Sequence, residues 1–274
     1  DEHDAEERTH HAHLDRRDRY GLLAVAALYA GAAWLAAPAE PAPPPAPSGV
    51  LLVQVVVAAG AVYGLWLQNC VVVKATKGAA ESFHVGKGPL GRFIWLTHQT
   101  INLLAVHFVA SLLAPLVSPR LALGTYRATV PLGGLGAFVT VQFFTLVYPD
   151  SDFEHECQLW ARRGVHQRLV ESVVHLPPLL LALADVCLFK HRATLLRSMP
   201  SLPAIALVYF AYCAAYTAVI IANRWLTGYW PYGLLRALGF SVARWAQFIG
   251  AQMGILWAFS MCLWAAAHWA WAAW

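Results

Sequence analysis

Seven nearly uncharged apolar runs dominate this chain, at residues 20–37, 50–73, 93–117, 129–148, 172–189, 202–223 and 242–267. A helix crossing a hydrocarbon core of about 30 Å needs about 20 mainly apolar residues, so each run is a candidate membrane span. Lipid offers no partner to a backbone amide, which leaves only helices and closed barrels. The runs are rich in Ala and Leu and lack polar alternation, so they predict helices rather than strands. Only 12% of the 274 residues are charged, where a soluble domain carries about 25%, and that excludes a water-soluble enzyme or a disordered chain. The expected fold is all-α: a polytopic transmembrane helical bundle of six core spans within residues 50–274, bathed in the lipid bilayer.

The first run stands apart. It is short, follows the charged residues 1–19, and leads into APAEPAPPPAPS at 37–48, a stiff polyproline-type spacer. Residues 1–49 therefore read as an N-terminal extension. Its apolar segment is a signal peptide with an A-x-A-like site at Ala37-Pro38-Ala39, a signal anchor, or an extra span. Of the 19 Lys and Arg, 14 fall in residues 1–19, 74–92, 149–173 and 224–244, and five in the alternate loops. The positive-inside rule places the first set in the cytosol. A net charge of +4 is too small and too scattered to imply a nucleic acid partner.

Metal and redox chemistry find no support. The five cysteines are an odd set without CxxC spacing, which argues against a disulfide framework or a zinc site. His3, His10, His11 and His13 lie in a charged, low-complexity stretch, and the paired histidine clusters of di-iron membrane enzymes are missing. No cofactor and no metal are expected. No internal repeat suggests a two-half transporter. Residues 149–173 mix charged and apolar residues at helical intervals and predict an amphipathic interfacial helix, and 224–233, RWLTGYWPYG, predicts an interfacial turn.

Polar side chains at membrane depth are costly and call for an explanation. Residues 91–108 carry Thr97, His98, Gln99, Thr100, Asn102 and His107 in an otherwise apolar stretch. Thr97, Thr100, Leu104 and His107 fall along one side of a helix, which should face protein or a polar cavity. Interhelical hydrogen bonding alone would also account for them. In ESVVHLPPLLLALADVCLF, 171–189, Pro177 and Pro178 suit a first helical turn. That puts His175 at the helix mouth, where a helix N-terminus disfavours imidazolium. Glu171 stands four residues earlier, placed to orient the ring, and Asp185 is a lone acid that must be paired or functional.

Arg92-Phe93-Ile94-Trp95-Leu96-Thr97 opening a membrane helix, His175 ten residues before the acid Asp185, and Thr227-Gly228-Tyr229-Trp230-Pro231-Tyr232 after the next helix follow one another in order. Over about residues 50–265 this order resembles the androgen-induced protein family (FAR-17a/AIG-like). The family consists of multi-pass membrane hydrolases that cleave fatty acid esters of hydroxy fatty acids. The resemblance implies that Thr97 is the nucleophile and His175 its catalytic partner. Asp185, Glu171 and Asn102 are the candidate supporting residues, with Asn102, Gln99 or a loop amide as oxyanion donor and Thr100 as the alternative nucleophile. It further implies an integral multi-pass protein of the endoplasmic reticulum or plasma membrane acting on a lipid ester. The chain departs from the family pattern at Glu171-Ser172, at the position of Pro177 and Pro178, and in the order Trp230-Pro231-Tyr232. The competing expectation is a non-catalytic membrane protein that binds lipid or a protein through the same polar stripe.

Overall fold

A computed structural model describes residues 20–35, 37, 43–66, 93, 95–162, 164 and 166–269. All regular structure among them is helical: α1 Tyr20–Leu35, α2 Ser48–Trp66, α3 Leu96–Val117, α4 Pro119–Gln142 and α5 Ser151–Ala161, followed by α6 Gln167–His175, α7 Pro177–Ala184, α8 Arg192–Ser198, α9 Leu202–Thr227, α10 Gly233–Leu238 and α11 Val242–Trp269. Two helices end in a π-helical turn, α4 at Phe143–Val147 and α7 at Asp185–Phe189. Five helical segments, 96–117, 119–147, 167–189, 202–227 and 242–269, are long and apolar enough to cross a membrane, and α1 and α2 are shorter apolar helices. The protein is an integral multi-pass membrane protein with the helical-bundle architecture that its sequence predicts.

The turns follow from backbone chemistry. Proline disfavours helical geometry in the residue before it, and Ser118, just ahead of Pro119, is extended. α3 and α4 are therefore joined through this single residue, and α4 starts at 119 rather than at the expected 129. Gly124 and Arg127 dilute the apolar signal over that first stretch without preventing helix. At the far end of α9, Gly228 takes the left-handed conformation (φ 70°) that ends a helix. The residues 149–173, expected as one interfacial helix, form α5 and α6, with a break around Gly164, whose φ is 75°.

α4 is the central helix. Over half of its apolar window is buried, against 17% for α9 and α11; Leu207, Phe210 and Trp225 of α9 and Met261 of α11 face outward. Helices in lipid gain little from the hydrophobic effect between them, so close backbone approach through small residues matters more. Three glycines of α4 permit it. A side chain at Gly133 would run into Leu263 of α11, at Gly134 into Ser260 and Tyr209, and at Gly136 into Leu104 of α3 and Pro178 of α7. The Tyr209 hydroxyl, shared with Ser260, also bonds the Pro131 carbonyl at 2.8 Å, tying α9 and α11 to α4.

Candidate active site

The start of α3 is held from another part of the chain. The residue before it, Trp95, makes no side-chain cap. The Tyr232 hydroxyl instead accepts the Leu96 N–H at 2.9 Å, which sets it beside Thr97. The first amides of a helix have no partner within it, so this phenol replaces a missing cap. Tyr232 reaches α3 because the Thr227-Gly228-Tyr229-Trp230 element turns sharply. The Thr227 hydroxyl bonds the Asn223 carbonyl at 2.8 Å, and the Tyr229 amide bonds that hydroxyl at 3.2 Å. Trp230 packs on Trp245 and Trp95 stands edge-on to Tyr232 at 4.9 Å. Burial pushes the Tyr232 phenol above its usual range, opposed by the hydrogen bonds from Tyr216 and Thr97. It remains a neutral phenol at working pH.

His175 is fixed on three sides. Its ring stacks on Phe143, with centroids 3.6 Å apart and planes 10° from parallel. Its Nδ1 lies 2.8 Å from the Glu171 carbonyl and 3.3 Å from the Glu171 carboxylate. The Thr140 hydroxyl donates to the His175 carbonyl at 2.5 Å. Both groups facing Nδ1 are acceptors, so Nδ1 carries a proton. The Glu171 carboxylate is itself held by the Gln167 amide at 2.6 Å.

The backbone around His175 differs from the expected helix mouth. Leu176 keeps helical geometry, so α6 and α7 continue one another through 167–189 and His175 ends α6. Pro177 and Pro178 remove two amide donors, which frees the carbonyls of Val173 and Val174 without diverting the chain. The helix N-terminus invoked for the imidazole is therefore not there.

Thr97, His98, Glu171 and His175 line one cavity of about 290 Å³ between the ends of α3, α4, α6, α9 and α11. Its walls are mainly apolar, with Leu135, Phe138 and Val139 from α4, and Phe248 and Leu256 from α11. Tyr212, Tyr216 and Tyr232 add a polar rim. Phe143, Thr140 and Tyr232 were not among the expected site residues. The motif 227–232 had signalled Tyr232, whereas Phe143 lies in a plain apolar run and nothing in the sequence aims it at His175.

The other candidates lie elsewhere. Asn102 is 1% exposed and donates to the His98 carbonyl at 2.6 Å; it does not line the cavity. Gln99 is spent on the Phe93 carbonyl and the Tyr212 hydroxyl. Thr100 is fully buried beside Tyr212 and away from the cavity. Asp185 is also outside it, paired with His107 at 2.7 Å. Arg92 and Ile94 of the α3 motif, and the four N-terminal histidines, fall outside the described residues.

A sequence model described as FAR-17a/AIG1-like protein matches residues 65–266, most of the chain. The chain belongs to the FAR-17a/AIG1-like family. No curated protein and no solved structure matches it. The family match takes in α3 through most of α11, and with them every wall of the cavity. It leaves α1 and most of α2 outside.

Proposed function

We propose that this FAR-17a/AIG1-like protein is an intramembrane threonine hydrolase that cleaves lipid esters, with fatty acid esters of hydroxy fatty acids as the substrate class. The observation that carries this reading is that Thr97 and His175, on helices far apart in sequence, line the same mainly apolar cavity. A threonine hydroxyl is a weak nucleophile and needs a base. In its neutral form with Nδ1 protonated toward Glu171, His175 takes that proton at Nε2, and a stacked ring bonded to Glu171 loses little freedom in doing it.

The reaction runs in two halves. Thr97 Oγ attacks the ester carbonyl carbon while its proton passes to His175 Nε2. The tetrahedral oxyanion forms beside the α3 N-terminus, where the helix dipole favours negative charge. The carbon–oxygen bond to the alcohol then breaks, and His175 returns the proton to the departing alkoxide, leaving an acyl-threonine. Water, deprotonated by His175, attacks that ester, releases the fatty acid and restores Thr97. Apolar walls suit the acyl chains, and the site belongs to a membrane of the endoplasmic reticulum or plasma membrane, where such esters reside.

The test is turnover of a panel of lipid esters by purified wild-type protein and by Thr97→Ala and His175→Ala variants in detergent. Hydrolysis by the wild type that both variants lose supports the reading. Tight binding of the esters without any turnover would replace it by a lipid-binding role for the same cavity.

A further inference from the structure

The cavity does not use the remaining ionisable groups buried in the bundle, and these gather around Asp185. His107, 1% exposed, sets Nε2 at 2.7 Å from Asp185 Oδ2, and its Nδ1 at 2.7 Å from the Tyr29 hydroxyl. Lys190 Nζ lies 3.8 Å from Asp185 Oδ1, donates to Ser111 at 2.8 Å and Thr125 at 3.1 Å, and sits 4.8 Å over the Tyr126 ring. One carboxylate and one ammonium cancel, so a neutral imidazole leaves the cluster uncharged, as burial away from water requires. A carboxylate only accepts, so Nε2 bears the hydrogen and Nδ1 the lone pair. The polarity is then fixed along the chain of bonds: the Tyr29 hydroxyl donates to His107, His107 donates to Asp185, and Lys190 faces the other carboxylate oxygen.

His107, Asp185 and Lys190 lie within the family-matched region, and Tyr29 lies outside it on α1. α1 also fits the bundle in shape. Gly124 of α4 leaves room for the Ala33 backbone, which any side chain there would strike. The Trp34 ring takes the Arg120 guanidinium at 4.3 Å, and Gly21 abuts Phe93. These contacts run from Phe93 before α3, through His107 within it, to Arg120 just past its end, so α1 runs in the same direction as α3. Two parallel membrane helices start on the same side of the membrane. That agrees with the concentration of Lys and Arg in both residues 1–19 and 74–92.

We infer that residues 20–35 are a permanent helix of the bundle, an internal partner locked by the Tyr29 hydroxyl onto the buried His107–Asp185–Lys190 cluster. The segment is retained with the folded protein because its loss would strip His107 Nδ1 of its donor inside the membrane. A buried acceptor without a donor is far more costly than one that never needed it. This inference is independent of the hydrolase reading, since none of the four residues lines the cavity.

The experiment places a site-specific protease sequence in the Pro-rich spacer at residues 43–47 of the full chain, with an epitope tag ahead of residue 20. After cleavage in mild detergent, the tagged α1 fragment should elute with the bundle. Tyr29→Phe, which keeps the ring and removes only the hydroxyl, should raise the released fraction about tenfold, the effect of losing one buried hydrogen bond. Gly124→Leu should release the fragment by steric exclusion. A third variant, Leu28→Ala, changes an outward-facing residue of α1 and should leave retention as in the wild type. Release from the wild type would overturn the inference. So would retention by Tyr29→Phe and Gly124→Leu in protein eluting as a single species, or isolation from cells of a mature chain lacking residues 20–35.

Discussion

Tyr232→Phe is the sharpest probe of how the α3 N-terminus is built. The change keeps the ring edge-on to Trp95 at 4.9 Å and deletes one oxygen. That oxygen accepts the Leu96 amide at 2.9 Å and lies beside Thr97. Leaving such donors unsatisfied costs about 1–3 kcal/mol when they are buried. Tyr232 borders the cavity, so water recovers part of that loss. A residual of about 1–1.5 kcal/mol corresponds to a roughly five- to tenfold slower reaction of Thr97. The assay is the second-order rate of labelling by a fluorophosphonate probe in detergent, with ester turnover measured alongside. kcat should fall while KM changes less than twofold, because the phenyl ring still fills its place. Labelling within twofold of the wild-type rate, in a background where Thr97→Ala abolishes it, would show that the Tyr232 bond to the Leu96 amide does not position Thr97.

Other outcomes follow from the same contacts. Phe143→Ala removes the ring stacked on His175; it should lower stability by about 3–5 kcal/mol and slow labelling further, and Phe143→Leu, scored by thermal unfolding in detergent and by probe rate, should do less of both. Gly134→Leu drives a side chain into Ser260 and Tyr209 and should abolish folded, monodisperse protein on size exclusion. Gly250→Ala, on α11 with open space around it, should gain up to about 1 kcal/mol of helix propensity. A folded Gly134→Leu with wild-type melting would contradict the packing described for α4. Thr140→Val, which deletes the bond to the His175 carbonyl, should reduce kcat with thermal stability lowered by about 1 kcal/mol.

The bundle was legible because membrane helices announce themselves by length and apolarity, and α3, α7, α9 and α11 lie where the runs place them. The first third of α4 was hidden, since Gly124 and Arg127 look like loop chemistry, yet both are compatible with a helix packed against α1. Thr97 and His175 were found through their motifs, and their sharing of one cavity depends on chain crossings that no local pattern records. Tyr232 and Phe143 act on them across long sequence separations, one from a loop and the other from a π-helical turn. Asp185 was recognised as an acid needing a partner, but the partners were not: Lys190 follows directly on the same π-helical turn, while His107 comes from α3 with Tyr29 of α1 behind it. Both π-helical turns coincide with these polar sites, Phe143 at His175 and Asp185 at His107.

In the proposed reaction Thr97 becomes acylated inside the cavity it shares with His175. Purified wild-type protein treated with a fluorophosphonate, digested and analysed by mass spectrometry should carry the adduct on the Thr97 hydroxyl, and His175→Ala should reduce that adduct at least a hundredfold, the scale of losing a general base. An adduct on another residue, or undiminished labelling of the Thr97→Ala protein, would contradict the account.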